Sequence, residues 1–273
     1  MLTKKQICDF EYLAVKIRAD AVMMTNLQHS GHVGSSLSMA DLLVVLFEKV
    51  LNVAPKNPKG PNRDRFILSK GHAAAGLYSI MAEKGFFPKD WLETYYCDNG
   101  KLCGHISHHV PGVEFSTGSL GHGLPVTVGM ALDGKRKGKK HRVFCLMSDG
   151  DCNEGSTWEA IMLAAQHKLD NLVAIVDYNK VQALGFSKDV INLEPFAEKM
   201  NLFGWAVKEI DGHNFEQILD SLSIIPFVKG KPSFLIAHTV KGKGISCMEN
   251  TVASHYKCVA DDKLEDAYKE LGV

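Results

Sequence analysis

The sequence predicts an α/β protein with a mostly parallel sheet and helices on both faces. Two observations predict it. Short apolar runs recur along the chain, and a segment with helical periodicity separates each run from the next. This alternation is typical of crossover units, in which a helix connects two parallel strands. The chain shows no internal repeat and no long linker, so we expect residues 1–273 to form a single domain.

The elements follow in order along the chain. An amphipathic helix is expected over residues 3–28, then the polar loop QHSGHVGSS, then a second helix over 38–50. The runs that predict strands are RFILS (65–69), RVFCLMS (142–148), NLVAIVDYN (171–179), WAVKEID (205–211) and SFLIAH (233–238). Residues 97–125 are rich in Gly, His and Ser and have little periodicity. A long irregular stretch inside a compact domain is usually functional.

The composition excludes several classes of protein. The 31 basic residues balance the 31 acidic ones, so nothing indicates a nucleic-acid or membrane partner. The basic run GKRKGKKHR (134–142) is either a solvated turn or a phosphate-binding patch. Seven cysteines without a repeating spacing argue against a disulfide framework. The N-terminus is neither a signal peptide nor a membrane anchor, so we expect a cytoplasmic protein.

Polar residues end two consecutive apolar runs. Asp149 follows the run 142–148, and Asn179 comes 30 residues later, about the length of one strand–helix–strand unit. Ligands of an open parallel sheet bind at the carboxyl ends of its strands, so we expect the two side chains to meet. A carboxylate and an amide carbonyl are hard oxygen donors, which Mg²⁺ prefers alongside phosphate oxygens. The spacing therefore predicts a magnesium site beside a bound phosphate.

The residues after Asp149 fit the same hypothesis. Gly150 lets the backbone approach a phosphate, and the helix expected from about Asn153 points its first amides at it. A divalent cation between carboxylates and phosphate removes their repulsion. The alternative is that Asp149, Asp151 and Asn153 only cap this helix, as Asp and Asn commonly do. The motif SDG alone favours capping, whereas Asn179, the second expected ligand, favours the metal.

Longer motifs resemble a known family. A Gly-Asp-Gly turn with a downstream Asn is the signature of thiamine diphosphate enzymes, and residues 148–179 resemble it with Ser148 in place of the first Gly. Six segments resemble, in order, the N-terminal, diphosphate-binding half of transketolase: SGHVGSSLSMADLL (30–43), DRFILSKGHAAAGLYSIM (64–81), GHISHHVPGVEFSTGSLGHGL (104–124), SDGDCNEGSTWEA (148–160), DYNKVQALG (177–185) and HTVKGKGISCMENTVASH (238–255). The resemblance covers nearly the whole chain and implies a thiamine-diphosphate-binding fold.

The resemblance implies roles for individual residues. The metal, Mg²⁺ with Ca²⁺ or Mn²⁺ as substitutes, is expected on Asp149, Asn179 and the backbone carbonyl of Val181. Glu154 matches a buried acid at the subunit interface that couples two active sites. The residues expected to contact or support thiamine diphosphate are Gly118, Ser119, Leu120, Asp149, Gly150, Glu154, Asn179, Lys241 and His255.

Four histidines also match family positions. They are His32, His72, His105 and His255. The resemblance places His72 and His255 near the diphosphate and thiazolium, and His32 and His105 on the donor sugar. Proton movement on sugar hydroxyls near neutral pH suits imidazole. A zinc cluster is the alternative for part of this set, but its spacing is poor: Cys97, Cys103, His105, His108 and His109.

Three residues depart from the family pattern. Ser148 replaces a Gly, and its hydroxyl is expected to crowd the turn. Ser119 replaces a Pro and His122 replaces a Gln in the loop that resembles the family's GPLGQG segment. These two replacements are expected to change the rigidity of that loop.

The resemblance finally implies a partner. In full-length transketolases the Glu that faces the pyrimidine ring of the cofactor lies in a second domain, and no residue here matches it. We therefore expect one chain of a split enzyme that is inactive alone, homodimeric alone, and α₂β₂ with a separate chain carrying the pyrimidine-binding and C-terminal domains. The expected reaction transfers a two-carbon ketol unit from a ketose to an aldose. Alternatives are another thiamine-diphosphate-dependent synthase acting on an unusual sugar, or a non-catalytic cofactor-binding module.

Overall fold

A five-stranded, entirely parallel sheet lies at the centre of the computed structural model, which describes residues 2–273. The strands are β1 Arg65–Leu68, β2 Val143–Ser148, β3 Leu172–Tyr178, β4 Ala206–Asp211 and β5 Ser233–His238. Their order in the sheet is β1-β2-β3-β5-β4. All five strand predictions are correct to within one residue at either end.

Helices cover both faces of the sheet, which confirms the predicted fold class. The α-helices are α1 Lys4–Leu27, α2 Val33–Ser38, α3 Ala40–Val45, α4 Ala74–Glu83, α5 Gly123–Arg136, α6 Gly155–Gln166, α7 Ser187–Val190, α8 Phe196–Leu202, α9 Phe215–Leu222, α10 Ala253–Tyr256 and α11 Leu264–Leu271. Along β2, Phe144 and Leu146 join a hydrophobic cluster with α1, α3 and α4, and Val143, Cys145 and Met147 join a second cluster with α5, α6 and α8. The central strands are therefore buried on both sides, as parallel strands usually are.

The N-terminal helix is confirmed, but the second helix differs from its prediction. At the start of α1, Thr3 and Gln6 form a capping box, in which each side chain accepts a hydrogen bond from the other's backbone amide. Helix α2 begins at Val33, inside the predicted loop, and a break at Met39 separates it from α3. Every residue of α2 is buried, so packing outweighs the low helix propensity of its Gly and Ser residues.

Two polar segments were singled out from the sequence, the irregular stretch and the basic run. Of the predicted irregular stretch 97–125, residues 97–122 form no α-helix and no strand of the sheet, whereas residues 123–125 already belong to α5. Lysines 137, 139 and 140 of the basic run are exposed at the end of α5, which favours the solvated turn. Among residues 2–273, no helix combines the length and apolar character needed to cross a membrane.

Candidate active site

The carboxyl ends of β2 and β3 lie side by side. In the register of these strands Ser148 is opposite Asp177, so Asp149 and Asn179 follow at the same edge of the sheet. Both side chains are buried, and both line one open cavity of about 480 Å³ together with Val181. The structure therefore brings together the three residues expected to hold the metal.

Asp149 is a buried carboxylate without a cationic partner. Its Oδ1 accepts a hydrogen bond from the Gly150 amide at 2.9 Å, and the Ser187 hydroxyl donates to its Oδ2. It takes part in none of the ion pairs formed by residues 2–273. Burial raises the pKa of the Asp149 carboxyl, and the Ser187 hydroxyl and the charge of Lys241 oppose this. A buried carboxylate in this state fits a bound divalent cation.

Asp177, one strand away, is neutralised within the chain. It forms an ion pair with Lys70, and both side chains are at most 1% exposed. It also accepts hydrogen bonds from the Ser38 hydroxyl at 2.5 Å and from the Thr239 hydroxyl. Burial alone would raise the pKa of Asp177, but the charge of Lys70 and these hydrogen bonds outweigh it and lower the pKa.

Asp177 also orients the side chain of Asn179. The amide nitrogen Nδ2 donates to Asp177 Oδ2 at 3.3 Å and to Ser38 Oγ at 3.4 Å. The carbonyl oxygen Oδ1 accepts from the Val181 amide at 3.2 Å. Because the donors of Asn179 are used toward Asp177, its acceptor oxygen faces the Val181 side, which lines the cavity.

Sequence reasoning missed the Lys70–Asp177 pair. The available signal was Asp177 itself, an acidic residue inside the otherwise apolar run LVAIVDY. A charge in a fully buried strand requires a partner. Its partner lies 107 residues earlier, just after β1, and no local pattern identifies it.

Lys241 is a second buried lysine in the site. Its Nζ donates to the Val181 carbonyl at 2.8 Å and lies 3.1 Å from His255 Nδ1. Burial lowers the pKa of Lys241 to about 8, with Asp149 opposing and Lys70 adding to the shift. A carbonyl oxygen has two lone pairs, so Val181 can bind a metal and the lysine together.

Four histidine rings converge in the same cavity. The ring centroid of His32 lies 5.1 Å from that of His72, 5.5 Å from His105 and 5.0 Å from His255. His32 adopts a left-handed backbone conformation with φ of 72°, and its amide donates to the carbonyl of His255 at 2.9 Å. All four histidines singled out from the sequence therefore lie within reach of one bound molecule.

These imidazoles are neutral at pH 7. Burial lowers the pKa of His32 to about 4 and that of His255 to about 3, and neighbouring groups that include Lys241 lower both further. Burial also lowers the pKa of His105, and it lowers that of His72 well below its ordinary value. A neutral imidazole carries one donor and one acceptor nitrogen, so each ring can accept a hydrogen bond from one hydroxyl and donate one to another.

The loop 118–122 lies beside these rings. Gly118 and Leu120 line the cavity, whereas Ser119 is not among the residues that line it. His122 is exposed, and its Nδ1 lies 3.0 Å from the carbonyl of Leu120. The structure thus brings two of the three predicted loop residues to the cavity.

Asp151 fixes this loop to the end of β2. Its Oδ1 accepts from the Ser69 hydroxyl at 2.7 Å and from the Gly121 amide at 2.9 Å. Its Oδ2 accepts from the amide of Ser148 at 2.8 Å and from the hydroxyl of Ser148 at 3.0 Å. The Ser148 hydroxyl is therefore a hydrogen-bonded part of the turn, and whether it also crowds the turn stays a prediction.

Glu154 lies at the rim of the cavity and is exposed. The resemblance implied a buried acid at a subunit interface, and within this chain Glu154 is not buried. The backbone at Gly121 has φ of 78°, and a Cβ there would lie 2.4 Å from Glu154 Cβ. Only glycine permits this approach of the loop to Glu154.

The donor set of the cavity suits a hard cation. Among residues 2–273, no three His, Cys, Asp or Glu side chains form a group that could hold a metal, so the alternative zinc cluster is not assembled. The strand ends instead offer one carboxylate, one amide oxygen and one backbone carbonyl. Mg²⁺ is usually bound by few protein oxygens, and phosphate oxygens and water complete its octahedron.

Comparisons with known proteins agree with this geometry. Residues 11–273 match the family model described as the thiamine diphosphate binding domain of transketolase. An apulose-4-phosphate transketolase subunit from Actinobacillus succinogenes is 45% identical over 266 residues, which cover 96% of each chain. The 6-deoxy-6-sulfo-D-fructose transketolase subunit SqwG of a Clostridium species is 39% identical over 242 residues, 88% of each chain.

A solved structure is similar over the whole fold. Transketolase from Campylobacter jejuni superposes with a TM-score of 0.91 at 33% sequence identity. The match covers 96% of this chain but 42% of that transketolase. The chain therefore spans less than half the length of this larger relative.

Proposed function

The chain belongs to the family of transketolase thiamine diphosphate-binding domains, and from this premise we propose that it is one subunit of a two-chain transketolase. The enzyme transfers a two-carbon ketol unit from a ketose donor to an aldose acceptor. The observation that carries this proposal is the single cavity in which strand-end oxygen ligands and four neutral imidazoles face one another. Together they offer a metal and diphosphate site beside a site of proton transfer.

The strand ends hold the cofactor's diphosphate through a metal. Asp149, Asn179 and the Val181 carbonyl would bind Mg²⁺, for which Ca²⁺ or Mn²⁺ would substitute. Gly150 would leave room for the diphosphate, and the loop 118–120, of which Gly118 and Leu120 line the cavity, would contact the cofactor rings. When bound, thiamine diphosphate supplies the electron sink for breaking and forming a carbon–carbon bond.

The four imidazoles interact with hydroxyl groups of the sugar and take part in its proton transfers. His32 and His105 contact hydroxyl groups of the donor, and His72 and His255 lie nearer the cofactor. Because burial keeps these rings neutral, each presents one donor and one acceptor nitrogen to the sugar hydroxyls near pH 7. The Lys241 ammonium, buried beside them, stabilises negative charge that develops on a sugar oxygen.

A separate chain completes the site. It supplies the carboxylate that faces the pyrimidine ring, and the working form is α₂β₂. The names of two relatives support this division, because both are called subunits. Both names also contain a sugar with an anionic substituent, a phosphate or a sulfo group, so donors of this class are the first choice. The seven free thiols support a cytoplasmic location.

Isothermal titration of the purified chain with thiamine diphosphate tests the cofactor site. We expect binding that requires Mg²⁺ and is abolished by a chelator. The exposed-site variant Asp189→Ala, on α7, is the control and should bind like the wild type. Binding that is absent, or that does not depend on a divalent metal, would refute the enzymatic proposal and leave a module of another kind.

Reconstitution with the complementary chain tests the reaction. We expect turnover of a phosphorylated or sulfonated ketose, with an aldose acceptor, only when both chains are present. Turnover by the single chain would contradict the two-chain form. A pair that binds the cofactor but releases a different product would favour another thiamine diphosphate-dependent synthase.

A further inference from the structure

Two buried tyrosine hydroxyls hold the backbone around His105. This histidine lies in the irregular segment 97–122, which contains no α-helix and no strand of the sheet and whose one bridge joins Leu102 to Tyr95. The Tyr95 hydroxyl donates to the carbonyl of Gly104 at 3.2 Å. The Tyr78 hydroxyl donates to the carbonyl of His105 at 3.2 Å. Tyr78 is 0% and Tyr95 is 2% exposed, so solvent water has little access to replace either donor.

The protein core fixes the position of both hydroxyls. Tyr78 belongs to α4, and its ring packs edge-on against Tyr95 with centroids 6.3 Å apart. Phe87 packs against Tyr78 at 6.4 Å. Burial raises the pKa of both phenols, that of Tyr95 to about 12, so both are protonated donors throughout the neutral range. The rigid core thereby fixes the carbonyls of Gly104 and His105 in an irregular loop.

The imidazole of His105 has few alternative positions. The next amide, that of Ile106, donates to the carbonyl of Gly71 at 3.0 Å. A Cβ at Gly118 would lie 2.9 Å from His105 Cδ2, so the ring packs directly on that glycine. Three successive backbone groups and one face of the ring are therefore held.

We propose that Tyr78 and Tyr95 are positioning residues for His105, whose ring their hydroxyls direct into the cavity. The inference rests on the proposed function only for the contact of His105 with the sugar. In the described chain neither tyrosine lines the cavity, so neither acts by direct contact with a molecule bound there. Displacement of a reacting or binding group by about 1 Å lowers turnover by roughly 100-fold in some enzymes, so small shifts matter.

Nuclear magnetic resonance of the isolated chain tests the positioning directly. The variants are Tyr78→Phe, Tyr95→Phe and the double variant, with ¹⁵N-labelled histidine and His105→Asn for assignment. Burial lowers the pKa of His105 in the wild type. We expect the imidazole signals of His105 to shift in the double variant and its pKa to rise toward the ordinary value of 6.5, with His255 unchanged.

Thr127→Val is the matched control. It deletes another buried hydroxyl, one that donates to the carbonyl of Leu124 at 2.6 Å within α5. We expect a loss of thermal stability without any change in the His105 signals. Unchanged His105 signals in the double tyrosine variant, or the same change in Thr127→Val, would overturn the proposal.

Kinetics of the reconstituted pair give a second readout. We expect the double variant to lower kcat about tenfold, while the Kd for the cofactor stays the same. In a His105→Asn background the tyrosine substitutions should cause no further loss, because they act through His105. A further loss in that background would contradict the proposal. If the wild-type pair turns over no ketose, the proposed function fails, and the resonance experiment still decides the role of the tyrosines.

Discussion

The ends of β2 and β3 lie side by side, and each buries a carboxylate, but the surroundings of the two carboxylates are opposite. Asp177, at the end of β3, has an ion pair with Lys70 and three further hydrogen-bond donors. Asp149, just after β2, has one hydroxyl donor and one amide donor and no ion pair among residues 2–273. Burial raises the pKa of Asp149, whereas its partners lower that of Asp177.

This difference indicates that the Asp177 carboxylate has a structural role and that the Asp149 carboxylate has a role in binding. A buried carboxylate that the chain neutralises itself contributes to the folded state, and removing its partner is costly. A buried carboxylate left unpaired is costly to keep, so its presence points to a cation from outside the chain. Four experiments, in order of decreasing expected effect, test this distinction between Asp177 and Asp149.

The largest effect is expected from Lys70→Met. It leaves Asp177 buried and unpaired, so we expect the free energy of unfolding to fall by about 3–5 kcal/mol. Denaturant titration of the metal-free chain measures this. Lys241→Met is the matched control, since Lys241 is equally buried but forms no ion pair among residues 2–273, and it should cost only about 1 kcal/mol for the lost hydrogen bond to the Val181 carbonyl. Equal losses of unfolding free energy in Lys70→Met and Lys241→Met would contradict the distinction between Asp177 and Asp149.

Asp149→Ala should weaken cofactor binding without destabilising the fold. We expect metal-dependent affinity for thiamine diphosphate to fall at least about 100-fold, which corresponds to about 2.7 kcal/mol. The free energy of unfolding of the metal-free chain should stay the same or rise, because an unpaired buried charge is lost. Titration calorimetry and denaturant unfolding check the two parts. Retained affinity would mean that Asp149 only caps the turn after β2.

The dependence of stability on pH should differ between wild type and Asp149→Asn. The folded-state pKa of Asp149 is raised above its ordinary 3.8, so the folded chain binds this proton more tightly than the unfolded chain. Wild-type stability should therefore fall as pH rises from about 4 through the raised pKa, and the variant should lack this fall. The buried histidines contribute equally to the pH dependence of stability in wild type and Asp149→Asn, so their contribution cancels when the two profiles are subtracted. Parallel stability profiles without metal would contradict this assignment.

Ser148→Gly is expected to have the smallest effect. It removes the hydroxyl that donates to Asp151 at 3.0 Å and frees the backbone of the turn. We expect a loss of about 1 kcal/mol in unfolding free energy, or a Tm lower by about 2–4 °C, with unchanged cofactor affinity. Thermal unfolding and calorimetry measure both quantities. A higher Tm would show that the hydroxyl crowds the turn after all.

The sheet was predictable because its central strands are buried on both faces and so read as apolar runs between polar turns, whereas the edge strand β4 is partly exposed and gives a weaker pattern. The spacing of Asp149 and Asn179 also predicted their shared edge, since neighbouring parallel strands end together. The start of α2 was not predictable in this way. Its Gly and Ser residues favour a loop locally, and only burial against the rest of the chain makes them helical.

The remainder of the site depends on contacts far apart in sequence. The spacing of His32, His72, His105 and His255 contains no sign that their rings meet, and only the family resemblance predicted it. The partners of Asp177 and the tyrosine hydroxyls behind His105 follow no local pattern. They are fixed by tertiary packing, which periodicity and spacing do not encode.

The hydrogen bond from the His32 amide to the His255 carbonyl has a consequence for biosynthesis. The ribosome makes His255 more than 200 residues after His32, roughly ten seconds or longer at usual elongation rates. All five strands precede His255 in the chain, so the sheet can form on the emerging polypeptide before this bond exists. A nascent chain released at residue 240 would carry the complete sheet but lack one wall of the cavity. The cavity is therefore completed only after residue 255 has been made, which keeps shorter nascent chains from acquiring it.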